Sequence, residues 1–316
     1  MNCLCCGKPL PSPEPSSGWH ASCIRKFFNT KDLPVLDLTE SALLLLAEKS
    51  VHRGYTVPGV QKKLSLHLST EKEARLTLVD FPTGFILKPQ VAEFSSLPEA
   101  EHLVMLMAER SGLSVVPHAL IRMNREYAYI TKRIDRSTLS DTSFVLLAME
   151  DFCQLSLRLT QDKYKGSYEQ CAKVIRQYSS RPALDLSELF LRLIFCFLTG
   201  NSDMHLKNFS LFEPVPCSGD YILSPAYDLL PVNVIMPEDT EEFALQMCGK
   251  KTNIQKKHFL AYAKQIGIAQ RSAEIMIQSM LKRIPLWQKM CSESFLPSNL
   301  KQSFSTLITH RAQRLT

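Results

Sequence analysis

The sequence predicts an α+β chain in two lobes, a small β-rich one followed by a helical one. Three observations carry this. Leu64, Leu66 and Leu68 alternate with polar residues, as do Leu76 and Leu78, around the polar turn TEKE, which is a hairpin pattern. Two more apolar stretches with strand character, LSVVPHALIRM and EYAYITKRI, follow and are joined near Asn124. From about residue 148 onward the helical period takes over.

Taken in order, residues 1–30 form a Cys/His-rich segment, with the Pro/Ser-rich stretch PLPSPEPSSG at 9–18 read as an extended loop. A helix is expected at 40–49, then a glycine-containing loop from Gly54 to Gly59, then the hairpin. GFILKP gives a third strand carrying Lys88. Pro98 opens a helix over 99–110 that stops at Gly112, because proline is tolerated in a first turn and glycine ends helices. The β-rich lobe is assigned to 31–135 and the helical lobe to 136–316, with helices expected at 149–159, 167–178, 187–198, 256–266 and 270–292.

Composition bounds the function. The 316 residues are 45% hydrophobic and 22% charged, the profile of a soluble globular protein. Net charge is +6, mild enough to permit an acidic ligand, and no long basic run points to nucleic acid, so no direct nucleic-acid binding is expected. The most apolar stretch, 189–198, is interrupted by Arg192 and is too short to cross a bilayer. MNCLCCGKPL lacks a hydrophobic signal core, so no membrane association and a cytoplasmic location are expected.

The loop TGNSDMHLKNFSL at 199–211 places Asp203, His205, Lys207 and Asn208 directly behind an apolar run. A linking loop is usually filled with small turn residues. Kinase catalytic loops need an Asp that orients the attacking hydroxyl and, five residues later, an Asn on a magnesium ion, and Asp203 and Asn208 have that spacing. A second metal-binding Asp is required to neutralise charge on the transferring group. LSPAYDLLP supplies Asp228. Upstream, Lys88 and then Glu101, in the first turn of the following helix, are the order in which kinases place the phosphate-holding lysine and the glutamate that steers it. Each part has an ordinary reading by itself, a cap, a packed histidine or a helix-dipole glutamate. Their joint order favours the catalytic one.

The runs GVQKKLSL, FILKP, EAEHLVMLMAERSGL, YITKRIDR, MEDFCQL, GNSDMHLKNFSL and LSPAYDLLP, spread over roughly 52–231, resemble HipA-type serine/threonine kinases, the toxin half of bacterial toxin and antitoxin pairs, and most of all their short HipT form. That resemblance implies a two-lobed protein-kinase-like fold of HipA type with ATP and Mg as cofactors. It implies that Gly59, Gln61, Lys63 and Lys88, with Glu101, hold the phosphates and that the backbone of Lys132 and Ile134 meets the adenine. Gln154, His205 and Tyr227 are implied to line the site, Asp203 with His205 to be catalytic, and Asn208 and Asp228 to bind magnesium. It further implies translation arrest through an aminoacyl-tRNA synthetase as protein substrate, a helix-turn-helix antitoxin, and a small separate protein equivalent to the N-terminal subdomain of longer relatives. The sequence departs from the short form at TVPG, where Thr56 takes the first autophosphorylation position and Pro58 replaces the second, and at QKK, where Lys62 replaces a proline. Thr56 is the expected autophosphorylation site. A lipid or small-molecule kinase and a non-catalytic nucleotide-binding module are the alternatives.

Four of ten cysteines fall in the first 23 residues. Cys3 and Cys6 are spaced as half of a zinc site and His20 with Cys23 as the other half, since a two-residue spacer lets one turn present two ligands. Cys5 competes with its neighbours, and reduced thiols with His20 and Trp19 packed on CIRKFF are the alternative.

Overall fold

A computed structural model describes residues 1–37, 63–69, 74–78, 84–140 and 143–316. The helix expected at 40–49, the Gly54–Gly59 loop with Thr56, Gly59 and Gln61, and the TEKE turn lie outside these residues. Two compact units divide the chain, one comprising Met1–His102, Pro117–Arg133 and Ser140–Thr142, the other Leu103–Val116, Ile134–Leu139 and Ser143–Thr316.

The first unit is built on a six-stranded sheet. Its strands are β1 (Val35–Asp37), β2 (Leu64–Ser69), β3 (Arg75–Leu78), β4 (Phe85–Pro89), β5 (His118–Met123) and β6 (Glu126–Lys132), in the order β1-β3-β2-β4-β6-β5. β1 runs parallel to β3 and every other pair is antiparallel. The leucine alternation sets the register of the expected hairpin, with Leu66 opposite Leu78 and Leu68 opposite Leu76. Leu64, Leu66, Leu76 and Leu87 are buried. The β5–β6 turn passes through Asn124 in the left-handed region, a conformation asparagine tolerates. Helix α1 (Ala21–Phe28) also belongs here, and its Ile24, Phe27 and Phe28 recur at helical spacing on one buried face. Helix α2 (Leu97–Arg110) begins in this unit.

His102 on α2 and His118 on β5 are buried with their Nδ1 atoms 3.0 Å apart. Burial holds both well below the ordinary imidazole range, His118 at about 3. The unfolded chain therefore binds more protons than the folded one below pH ~6.5, and stability present above that pH is lost as pH falls toward 3. His205 and His258, also lowered by burial, add in the same sense, while Glu99, raised by burial, opposes them. The unfolding free energy from urea titration is expected to be lower at pH 5.5 than at pH 7.5, by about 1 kcal/mol for each histidine of the buried pair kept neutral. An unchanged value would show that the pair accepts a proton without unfolding.

The second unit is mainly helical. Its centre is α5 (Pro182–Thr199), opened by a proline at its first position and buried almost all round from Leu189 to Thr199. Around it lie α4 (Tyr168–Tyr178), α7 (Lys256–Gln265), α8 (Gln270–Leu281), α9 (Ile284–Ser292) and α10 (Ser298–Gln313), with a short α6 at Val232–Ile235. The helix expected over 270–292 is two helices. Pro285 lacks an N–H and cannot continue α8, so it sits in the first turn of a new helix instead.

The helix expected over 149–159 is also different. Met149–Asp151 form strand β9, paired with β10 (Ser210–Phe212), which in turn pairs with β11 (Ile222–Leu223). Only one helical turn follows, α3 (Phe152–Leu155), and Leu157 is left-handed beyond it. The strand expected over 113–123 starts only at His118, and Val115 bridges in parallel to Ala226. A two-stranded sheet, β7 (Arg136–Ser140) with β8 (Ser143–Leu146), completes the elements.

Candidate active site

The loop behind α5 begins at Gly200, which caps the helix in the left-handed region at φ +69° and donates to the carbonyls of Cys196 and Phe197. A Cβ here would lie 3.0 Å from the Leu307 side chain, so glycine serves both the turn and the close approach. Asn201 then folds back, its N–H donating to Cys196 O at 2.9 Å and its side-chain oxygen accepting from Asp203 N–H at 3.2 Å.

Asn208 closes the loop on Asp203. Its Nδ2 donates to the Asp203 carbonyl at 2.8 Å, while the His205 N–H donates to the same carbonyl at 2.8 Å. The five-residue spacing thus has a mechanical basis, because a short 3₁₀ turn at Leu206–Asn208 brings the amide back over the aspartate backbone. With Nδ2 taken up, the Asn208 oxygen is the part of that side chain able to meet a cation. The Asp203 carboxylate accepts from Tyr164 OH at 2.7 Å, and burial together with Asp203 raises the Tyr164 phenol above its ordinary range, keeping it a donor.

His205 is buried, its ring 5.0 Å from that of Tyr164 in an edge contact. Burial lowers its pKa, Asp203 opposing, so at neutral pH it is uncharged. Its Nδ1 is buried without a hydrogen-bond partner among the described residues.

Asp228 follows β11 with its backbone left-handed at φ +54°. Few non-glycine residues adopt this region, and aspartate tolerates it better than most. Two polar side chains from the apolar α5 hold the segment before it. Asp185 accepts from Leu223 N–H at 2.8 Å, and buried Arg192 donates to Ser224 O at 2.8 Å. The adjacent Tyr227 OH hydrogen-bonds Ser210 Oγ at 2.6 Å and donates to Lys207 O at 3.1 Å, which ties the Asp228 segment to the end of the Asp203 loop.

Sequence reasoning missed two members of this framework, Asp185 and Arg192, which support it as described; Lys207, already named in the loop, pairs with Asp151 at 2.5 Å. The signal for Arg192 was its own oddity, a charge inside a core helix. Gln154 is placed in a capping box with Asp151, its N–H on the Asp151 carboxylate at 2.9 Å and its side-chain oxygen accepting Asp151 N–H at 3.0 Å.

In the first unit, Lys88 on β4 and Glu101 on α2 meet as a buried ion pair, Nζ to Oε1 2.5 Å, with 3% and 0% of each residue exposed. Lys88 Nζ also lies 5.2 Å from the centre of the Tyr129 ring, opposite it across β4 and β6. Lys63 precedes β2. The Lys132 N–H donates to Pro117 O at 3.0 Å, and its carbonyl accepts from Thr131 Oγ1 at 3.4 Å. Ile134 belongs to the second unit. The sulfurs of Cys3, Cys6 and Cys23 and a ring nitrogen of His20 all lie within 4.8 Å of one another.

The sequence profile described as the HipA-like C-terminal domain matches residues 55–287. The chain belongs to that family. A protein of Sinorhizobium fredii named "Putative kinase Y4mE" is 26% identical, over 96% of this chain and 71% of its own length. The serine/threonine-protein kinase toxin HipA of Shewanella oneidensis is 25% identical over 73% of this chain and 55% of its own length. Among solved structures, a Shewanella oneidensis complex of HipA, HipB and operator DNA contains a chain that superposes with a TM-score of 0.68 at 21% identity, covering 82% of this chain and 64% of that one. The α+β, kinase-like HipA fold is thereby established. This chain spans only about half to two thirds of the Shewanella protein's length.

Proposed function

We propose that this HipA-family chain is an ATP-dependent serine/threonine protein kinase. The observation that carries the proposal is the closure of the 200–208 loop, in which Asn208 clamps the Asp203 carbonyl at 2.8 Å through Nδ2, so that its own oxygen faces away from that bond while Tyr164 OH orients the Asp203 carboxylate at 2.7 Å. Asp203 orients the substrate hydroxyl and receives its proton as the phosphorus–oxygen bond forms, and the γ-phosphoryl leaves ADP. The buried Lys88, held by Glu101, supplies the fixed positive charge for phosphate oxygens.

A magnesium ion fits the donor set, because Asp228 and the Asn208 amide offer hard oxygens and the amide orientation is set by its own hydrogen bond. When bound it neutralises charge on the phosphates. Asp185 and Arg192 fix the backbone that leads to Asp228 through Leu223 N–H and Ser224 O.

By family likeness we assign the chain to a toxin and antitoxin pair, with a helix-turn-helix antitoxin as partner and an aminoacyl-tRNA synthetase as the substrate class whose modification arrests translation. The test is incubation of the purified chain with γ-labelled ATP, magnesium and a cell lysate beside the Asp203→Ala protein. Labelled Ser or Thr on a protein, absent with Asp203→Ala, supports the reading. Label only in lipid or small-molecule fractions would replace it with the lipid or small-molecule kinase alternative.

A further inference from the structure

Phosphate transfer gives no role to residues 1–28, yet these carry the densest ligand chemistry of the described chain. Cys3, Cys6, His20 and Cys23 offer three sulfurs and one nitrogen, all within 4.8 Å of each other. Two short pieces of chain bring them together. Around Cys3, a tight turn is closed by Gly7 N–H on Cys3 O at 2.9 Å and Cys3 N–H on Lys8 O at 2.8 Å, with Gly7 left-handed. Cys6 thereby joins Cys3 in the set, and Cys5, which is not one of the four, lies beside it with its thiol against Cys23. The second piece is the start of α1, where His20 is the cap and Cys23 lies in the first turn.

The surroundings treat these atoms as ligands. The His20 N–H donates to Cys3 Sγ, 3.4 Å away. On the ring, Nε2 lies 3.0 Å from Pro9 O, and a carbonyl can only accept, so Nε2 carries the proton. Nδ1 is then a bare lone pair, and it faces Cys6 Sγ at 3.5 Å and Cys23 Sγ at 3.8 Å. A backbone carbonyl that sets the tautomer of a histidine ligand is the usual outer support of a metal site.

Beneath the cluster lies a small core. Leu4, Trp19, Ile24, Phe27 and Phe28 are almost fully buried, with Trp19 5.6 Å from both Phe27 and Phe28. Phe28 continues to Phe85 on β4 at 5.4 Å, and Leu120 N–H on β5 donates to Leu4 O at 2.8 Å. Phe85 stands three residues before Lys88 on the same strand.

We propose that Cys3, Cys6, His20 and Cys23 bind one zinc ion, and that this ion clips residues 1–28 onto the sheet that carries Lys88. Three thiolates and one imidazole form a complete tetrahedral set with no position left for water, so the site is structural and takes no part in phosphate transfer. Binding releases thiol protons and couples the ion to folding of this segment.

The experiment is elemental analysis of the full chain purified without a metal-affinity tag, with thermal unfolding before and after a chelator. About one zinc per chain is expected, near full occupancy for a structural site. The unfolding midpoint should fall on chelation and recover when zinc is returned. Cys5→Ser is expected to keep the zinc, while Cys6→Ser and Cys23→Ser lose it. Should the two losing variants not fold, His20→Cys, which preserves a four-ligand set, must still bind one equivalent and give the tetrahedral thiolate spectrum with cobalt. Less than about half an equivalent in the parent chain, iron in place of zinc, or zinc retained in folded Cys6→Ser and Cys23→Ser would overturn the site. None of these readings depends on whether the chain transfers phosphate.

Discussion

Asp203→Ala is expected to slow phosphate transfer by about 10²–10⁴-fold, the contribution of a positioned general base, while leaving the fold and most nucleotide affinity in place. The fold survives because Asp203 supports the loop through its backbone. It is the carbonyl that receives Asn208 Nδ2 and the His205 N–H, and alanine keeps that carbonyl. The side chain contributes one hydrogen bond, from Tyr164, and losing it costs about 1 kcal/mol. Lys88 and Asp228 are untouched, so binding of a fluorescent ATP analogue should change little. Asp228→Ala should differ, losing magnesium-dependent nucleotide binding together with transfer. Parallel transfer and binding titrations separate the two variants. Transfer by Asp203→Ala at the parental rate would show that another group takes the proton.

Much of this was legible in the sequence because it depends on local rules. The alternation of Leu64, Leu66 and Leu68 sets a face, and a face sets a register. Pro98 lies in the first turn of α2 and Gly112 follows its end, and the Asp203 to Asn208 spacing is closed by a hydrogen bond across five positions of chain. What escaped depends on partners distant in sequence. Met149–Asp151 carry a helical pattern, yet they pair with Ser210–Phe212, and this tertiary pairing overrides local preference. Gln154 shows the same limit, since its capping box exists only because the strand ends at Asp151. The anchors Asp185 and Arg192 act on residues 38 and 32 positions away, which periodicity cannot report. Two misses had a signal. Pro285 sits where a continuous helix from 270 to 292 must break, and Ile24, Phe27 and Phe28 have helical spacing that the cysteine pattern overshadowed.

The Lys88–Glu101 pair should show how a functional charge is held inside a folded unit. Both groups are buried, so neither regains water when its partner is removed. Lys88→Met removes the ammonium that Glu101 faces and Glu101→Leu the carboxylate that Lys88 faces, and each is expected to lower unfolding free energy by about 3–5 kcal/mol. The double variant Lys88→Met with Glu101→Leu replaces the pair by apolar side chains of similar length. Replacement of a whole buried pair is often neutral, so the double variant should recover to within about 1 kcal/mol of the parent. Activity should not follow stability. If Lys88 Nζ supplies charge to phosphate oxygens, both singles and the double lose transfer, and the double variant becomes a folded chain without it. Chemical denaturation of the four proteins, beside a transfer assay on each, makes the comparison. A double variant as unstable as the two singles added together would mean that the residues act on the fold independently. A stable double variant that still transferred phosphate would assign the pair to packing and move the phosphate-binding charge elsewhere.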